Sequence, residues 1–137
     1  MPDVAVVVGD IRLEARFEEK AAPRTCEALG RMLPLLSKIV HVRWSGEAMW
    51  VPMGEMALDL PPEHATSYPS PGQILLYPGG ISETEILIPY GPTHFASKAG
   101  PLAGNHVLTV MHGIEQLRGL GEQTLWHGAL PIRIERR

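Results

Sequence analysis

The chain of 137 residues carries one cysteine, Cys26. A lone thiol cannot build an internal disulfide or a cysteine-based zinc site. The scarcity fits a reducing, cytoplasmic setting. Basic charge is not in excess either. Twelve Lys and Arg stand against 15 Asp and Glu, a net charge of −3. A polyanion binder shows a basic face, so nucleic acid is not an expected partner. Long apolar runs are missing as well. The first, Val4-Ala5-Val6-Val7-Val8, spans five residues with no basic region before it. A secretory leader or a membrane span needs more, so no membrane contact is expected. The composition reads as that of a bacterial cytoplasmic protein.

Motifs that hold cofactors are also lacking. The six histidines, His41, His64, His94, His106, His112 and His127, form no H-x-H or H-E-x-x-H arrangement, so no metal is expected. Tyr77-Pro78-Gly79-Gly80 has neither the Lys-Ser/Thr of a phosphate-binding loop nor a G-x-G-x-x-G spacing. Gly80-Ile81-Ser82-Glu83-Thr84 ends on Thr where a nucleophile elbow needs Gly. No cofactor is expected.

What the chain does have is glycine and proline, 14 and 13 residues. That is well above the roughly 12% of average usage. A helical bundle cannot absorb so many breakers, because proline removes a helix hydrogen bond and glycine costs backbone entropy. Yet 45% of residues are hydrophobic, enough for a real core. Nine of the 13 prolines fall between Pro52 and Pro101, so the surplus marks the middle of the chain.

The periodicity agrees with a mainly β single domain over 1–137. Residues 4–8 and the alternating Ile11-Arg12-Leu13-Glu14-Ala15-Arg16-Phe17 predict an opening hairpin across Gly9-Asp10. Pro23, with Cys26, Leu29, Met32, Leu33 and Leu36 at helical spacing, predicts a helix that Pro34 ends or kinks. Residues 39–44, 48–51, 72–78, 85–90, 106–111 and 130–135 read as further strands. Residues 113–120 read as a short helix. In the strand over 39–44, alternation puts Val40, Val42 and Trp44 inward and Ile39, His41 and Arg43 outward. Many short strands favour closure, which removes exposed edges. The expected fold is a single closed β-barrel of about eight strands capped by two helices.

Several segments resemble the cyclophilin family. Ile11 to Phe17 followed by Ala22-Pro23-Arg24-Thr25-Cys26-Glu27-Ala28-Leu29 is similar to its strand-and-helix opening. Ala99-Gly100-Pro101 followed by Asn105 is similar to its Ala-Gly-Pro-Asn loop. Asn105 to Ile114 resembles the strand that leads into its last helix, and Ile132-Arg133-Ile134 its closing strand. With His41 to Glu47, Tyr77 to Glu85 and Phe95 to His106, the chain looks like an uncharacterised prokaryotic branch of cyclophilin-like barrels. The resemblance implies a groove on the outer wall and carries the catalytic arginine onto Arg43. One departure matters: the Phe-Met-x-Gln-Gly-Gly-Asp segment of working isomerases is missing after Arg43. A working prolyl isomerase is therefore not the leading expectation.

The candidate groove is ligand-binding, built from Arg43, Glu83, Tyr77, Phe95, Asn105, His41 and Trp44. Arg43 would anchor an anionic or carbonyl group, and the aromatics would hold an apolar portion. Glu83 and Glu85 alternate on one strand face, which is ordinarily a solvated one. Glu83, near Gly79-Gly80, is the better ligand contact because glycine permits close approach. A small molecule or peptide is the expected partner. If the protein is an isomerase, Arg43 is its catalytic residue. The third class is a homo-oligomer subunit that pairs through a Met49-Trp50-Val51 edge.

Overall fold

Alternation in the two opening runs does what the pattern demands. In the computed structural model, which describes residues 2–137, β1 (Val4–Val8) and β2 (Ile11–Phe17) form an antiparallel hairpin. Leu13 and Ala15 are fully buried, whereas Arg12 and Arg16 face solvent. Pro23 opens α1 (Pro23–Met32), and Cys26 and Leu29 on its inner face join the core. Then come β3 (Leu35–His41), a 3-10 turn over Arg43–Ser45, and β4 (Gly46–Pro52). The long proline-rich stretch holds only the two-residue β5 (Ala65–Thr66). Further on lie β6 (Gln73–Tyr77), β7 (Glu85–Thr93) and a small hairpin of β8 (Ala96–Ser97) and β9 (Gly100–Pro101). The chain finishes with β10 (Gly104–His112), a 3-10 turn over Ile114–Gln116, α2 (Leu117–His127) and β11 (Leu130–Arg136).

Eight strands run antiparallel in the order β2-β1-β11-β3-β4-β7-β6-β10, and β10 pairs back onto β2 to close the barrel. β5 adds to the start of β10. The interior is filled by Val6, Leu13, Ile39, Met49, Ile74, Ile88, Leu108 and Ile134, with Leu117 and Leu120 of α2 packed into the same cluster.

The wall of β4, β7 and β6 is buried on both faces. Ile86, Ile88 and Tyr90 point inward. Leu87 points outward, into a second cluster with Ala48, Leu75, Tyr77, Phe95 and Leu102. The uninterrupted Ile86-Leu87-Ile88 run is the mark of a strand covered on both sides. Phe95, fully buried, pins residues 92–103 onto that outer face.

Three expectations are corrected. The strand expected over 39–44 lies at Leu35–His41, and Ile39 is fully buried while Trp44 is 52% exposed. The inside–outside assignment therefore fails at Ile39 and Trp44, whereas Val42 is buried and Arg43 exposed as expected. The 3-10 turn at Arg43–Ser45 breaks the two-residue period, so parity cannot be counted through it. The expected short helix over 113–120 becomes a 3-10 turn followed by α2, which reaches His127. Finally, Met49-Trp50-Val51 is no free edge. β4 is paired with β3 on one side and β7 on the other, and Met49 and Val51 sit in the core.

Candidate functional site

A pocket of about 370 Å³ lies on the outer wall where the small hairpin stops short of covering it. Trp44, Trp50, Glu83, Glu85 and the hairpin residues Ala96 to Ala99 line it, with Ile81 and Ser82 at the rim. Each wall has a local cause. Trp44 sits on the 3-10 turn, which Gly46 closes at φ +109. A side chain there would meet the Pro92 carbonyl oxygen at 2.6 Å, so only glycine lets the turn lie against β7. Ser45, next to Trp44, ties the turn to the hairpin. Its Oγ donates to the Ala96 carbonyl at 3.2 Å and accepts from the Ala96 amide at 3.1 Å. Trp50 rises from β4 and meets Trp44 edge-on, 6.1 Å between ring centroids.

The opposite wall is a loop held from below. The Tyr77 hydroxyl accepts hydrogen bonds from the Ile81 and Ser82 amides at 3.1 and 3.4 Å. Gly79, at φ +93, lets that loop turn back tightly over Thr84. Glu83 Oε1 accepts from the Gly54 amide at 3.0 Å, which fixes that carboxylate at the rim.

Glu85 is the unusual group. It opens β7 with its side chain toward the pocket and is only 4% exposed. Burial pushes its carboxyl up to about 8, and the neighbouring charge of Glu83 pushes the same way. No hydrogen bond from the protein offsets the burial. Buried polar groups almost always have a partner, so an unpartnered carboxyl facing a cavity marks a place for one.

The family model described as "Protein of unknown function (DUF3830)" matches residues 4–135. The chain belongs to that family. Two solved structures share this family member's fold. One is described as "Structure of McbB in complex with tryptophan", at 18% identity and a TM-score of 0.76, covering 98% of this chain and 44% of that one. The chain thus spans under half the length of that neighbour. The other is the solution structure of the hypothetical protein AF2241 from Archaeoglobus fulgidus, at 16% identity and a TM-score of 0.67, covering 99% and 95%. At these identities the likeness concerns the fold alone. No curated protein matches the chain.

Of the residues expected to form a groove, this member of the family brings Glu83 and Trp44 together at one pocket. Tyr77 and Phe95 are not contact surface. They pack edge-to-face, 5.8 Å between centroids, in the layer behind the pocket. Asn105 is buried elsewhere. Its Nδ2 donates to Thr25 Oγ1 and the Pro61 carbonyl, and its Oδ1 accepts from the Glu63 amide. These bonds fasten the long loop to α1, where Glu63 caps the helix by accepting from the Thr25 amide at 2.8 Å. His41 is turned to Tyr90, with Nε2 and the phenol oxygen 2.6 Å apart. Its Nδ1 is buried without a partner. Burial, then the charge of Arg43, hold this imidazole below its ordinary range. Arg43 is exposed, and no acidic side chain among the described residues pairs with it. Glu47, close by in sequence, is held by Arg118 of α2 at 2.8 Å.

Sequence reasoning passed over Glu85 as one of two carboxylates on a solvated face. The usable signal was its position, a lone charge at the head of the apolar run Ile86-Leu87-Ile88. Lys98, on the hairpin tip, was missed because nothing in its local sequence ties it to the two tryptophans. A larger groove beside α1 is a weaker candidate. Its cations are engaged, Arg31 with Glu27 and Arg136 with the Gly30 carbonyl. Burial pushes the Cys26 thiol there up to about 12, so it stays protonated. Among the described residues, no group of three His, Cys, Asp or Glu side chains is placed to hold a metal, and no helix is long and apolar enough to cross a membrane.

Proposed function

We propose that this protein is a cyclophilin-like barrel that binds a small organic molecule in the pocket of Trp44, Trp50, Glu83 and Glu85. The observation that carries the reading is Glu85, a buried carboxyl with no protein partner on the wall of an aromatic-lined cavity. Small-molecule sites pair large apolar surfaces with a few convergent polar groups, and this wall has both. The two indole rings would hold a ring or other apolar portion, and the carboxyls would fix a polar one. A protein of the same fold has been solved with tryptophan, which supports a ligand of this size.

Ligand-dependent thermal stabilisation across a metabolite library tests the reading. Tryptophan fluorescence gives a second readout in the Trp126→Phe background, since Trp126 is 74% exposed and outside the pocket. A hit should lose its effect in Trp50→Ala. If no compound shifts melting or fluorescence, the reading falls.

A second reading is weak peptidyl-prolyl isomerisation. One observation favours it: the Arg43 guanidinium is exposed and unpaired among the described residues, so it is available to a prolyl amide. Polarising that amide would lower a rotation barrier of ~18–20 kcal/mol without proton transfer. A prolyl-peptide assay with Arg43→Ala as control decides it, and no rate gain at micromolar protein ends it.

A further inference from the structure

The chemistry of the pocket narrows the ligand class, and the narrowing rests on the binding reading above. Two carboxyls line one small cavity. Glu85 is buried and unpartnered, and Glu83 is fixed at the rim by the Gly54 amide. Two carboxylates side by side repel, and the buried one is poorly solvated. A group that carries positive charge and donates several hydrogen bonds relieves both problems at once. The rest of the wall suits the same group. Trp is the aromatic side chain that attracts cations best across its ring face, and two are present.

The other neighbours of Glu85 supply no competing charge. On β4 its backbone partner is Pro52, and on β6 it is Tyr77, whose hydroxyl is committed to the 81–82 amides. The small hairpin contributes one cation, Lys98, which is exposed and forms no ion pair with either carboxyl. Lys98 therefore stands at the mouth, and the interior is left to a ligand.

We infer that the ligand is a primary ammonium compound with an aromatic or apolar body, its nitrogen seated between Glu85, Glu83 and the rings of Trp44 and Trp50. Before a ligand binds, Glu85 is largely protonated near neutral pH. The ammonium form enters, the Glu85 proton leaves to solvent, and the charges pair. Uptake is thus coupled to release of up to one proton, and affinity rises with pH until Glu85 is ionised. Lys98 separates two ligand sources. A plain amine does not need it, whereas an amino acid offers it a carboxylate.

Calorimetry with four probes tests this on the full chain: 2-phenylethylamine, L-phenylalanine, phenylacetate and 2-phenylethanol. The expected result is binding by one or both of the first two, tightening roughly tenfold per pH unit between pH 6 and 8. Titrations in buffers of different ionisation enthalpy should show proton release. Glu85→Gln should weaken ammonium binding and flatten its pH profile. Lys98→Ala should weaken phenylalanine alone if the ligand is an amino acid. The wild-type pH profile stands by itself should Glu85→Gln fold poorly. Equal or tighter binding of phenylacetate or 2-phenylethanol overturns the ammonium assignment and leaves the binding site standing, as does pH-independent affinity. No binding by these probes, with an anionic or neutral hit in the wider library, does the same. Silence from every compound overturns both.

Discussion

Replacing Glu85 by glutamine isolates what it costs to bury a carboxyl in the pocket wall. Gln keeps the shape and cannot ionise. In the native protein burial, with Glu83 beside it, raises the group from an ordinary 4.5 to about 8. The folded state therefore holds this proton more tightly than the unfolded chain does. The stability linked to that proton is fully present below about pH 4.5 and is lost as pH climbs through about 8. At about 1.4 kcal/mol per unit, the loss amounts to on the order of 5 kcal/mol above pH 8. That is a large part of the roughly 5–15 kcal/mol that holds a typical domain together. Urea unfolding at pH 5, 7 and 9 measures it. Wild type and Glu85→Gln should be close at pH 5 and diverge in favour of the variant as pH rises. A difference that stays constant with pH, or one that grows in favour of the wild type, refutes the placement of this carboxyl.

Three further outcomes are expected. Phe95→Ala removes the fully buried ring that pins the outer layer, and should cost about 3–5 kcal/mol in chemical denaturation; a loss below about 1 kcal/mol would contradict that role. Asn105→Ala leaves the Thr25, Pro61 and Glu63 partners without their bonds. It should cost on the order of 1–3 kcal/mol without altering ligand-induced melting shifts, and a selective loss of binding would return Asn105 to the site. Glu63→Gln weakens the cap of α1. Burial raises this carboxyl, but hydrogen bonds from the Thr25 hydroxyl and amide and the Arg24 amide outweigh it and leave it below its ordinary range. Its contribution is present above the usual carboxylate range and fades as pH falls through the lowered value. The urea midpoint of Glu63→Gln should drop at pH 7 and converge on the wild type in acid; equal drops at both ends would contradict the assignment.

How far the sequence carries depends on whether a feature is local. The alternating Ile11 to Phe17 run and the Pro23 helix start are local, and the structure places them as expected. Closure was legible because many short strands with few charges leave no safe edge. Parity through residues 39–44 was not legible, since a single turn of 3-10 helix at Arg43 resets which face each side chain takes. The pocket was half legible. Trp44 and Glu83 stood out as chemistry, but the burial of Glu85 depends on the downstream hairpin of β8 and β9 that Phe95 folds back over it. Tyr77, Phe95 and Asn105 looked like contacts because aromatics and amides serve ligands well; they serve a layered wall and a loop anchor equally well.

Strand β1 pairs directly with β11, Val4 opposite Arg136. The two ends of the barrel sequence are therefore neighbours, and a short linker could join them into a circle. The circle could be reopened at the exposed Lys98–Ala99 tip, where no strand pairing of the barrel would be cut. New ends would then flank the mouth of the pocket. Two fluorescent reporters fused there would make occupancy visible as a change in their separation, turning the barrel into a sensor frame for whatever it holds.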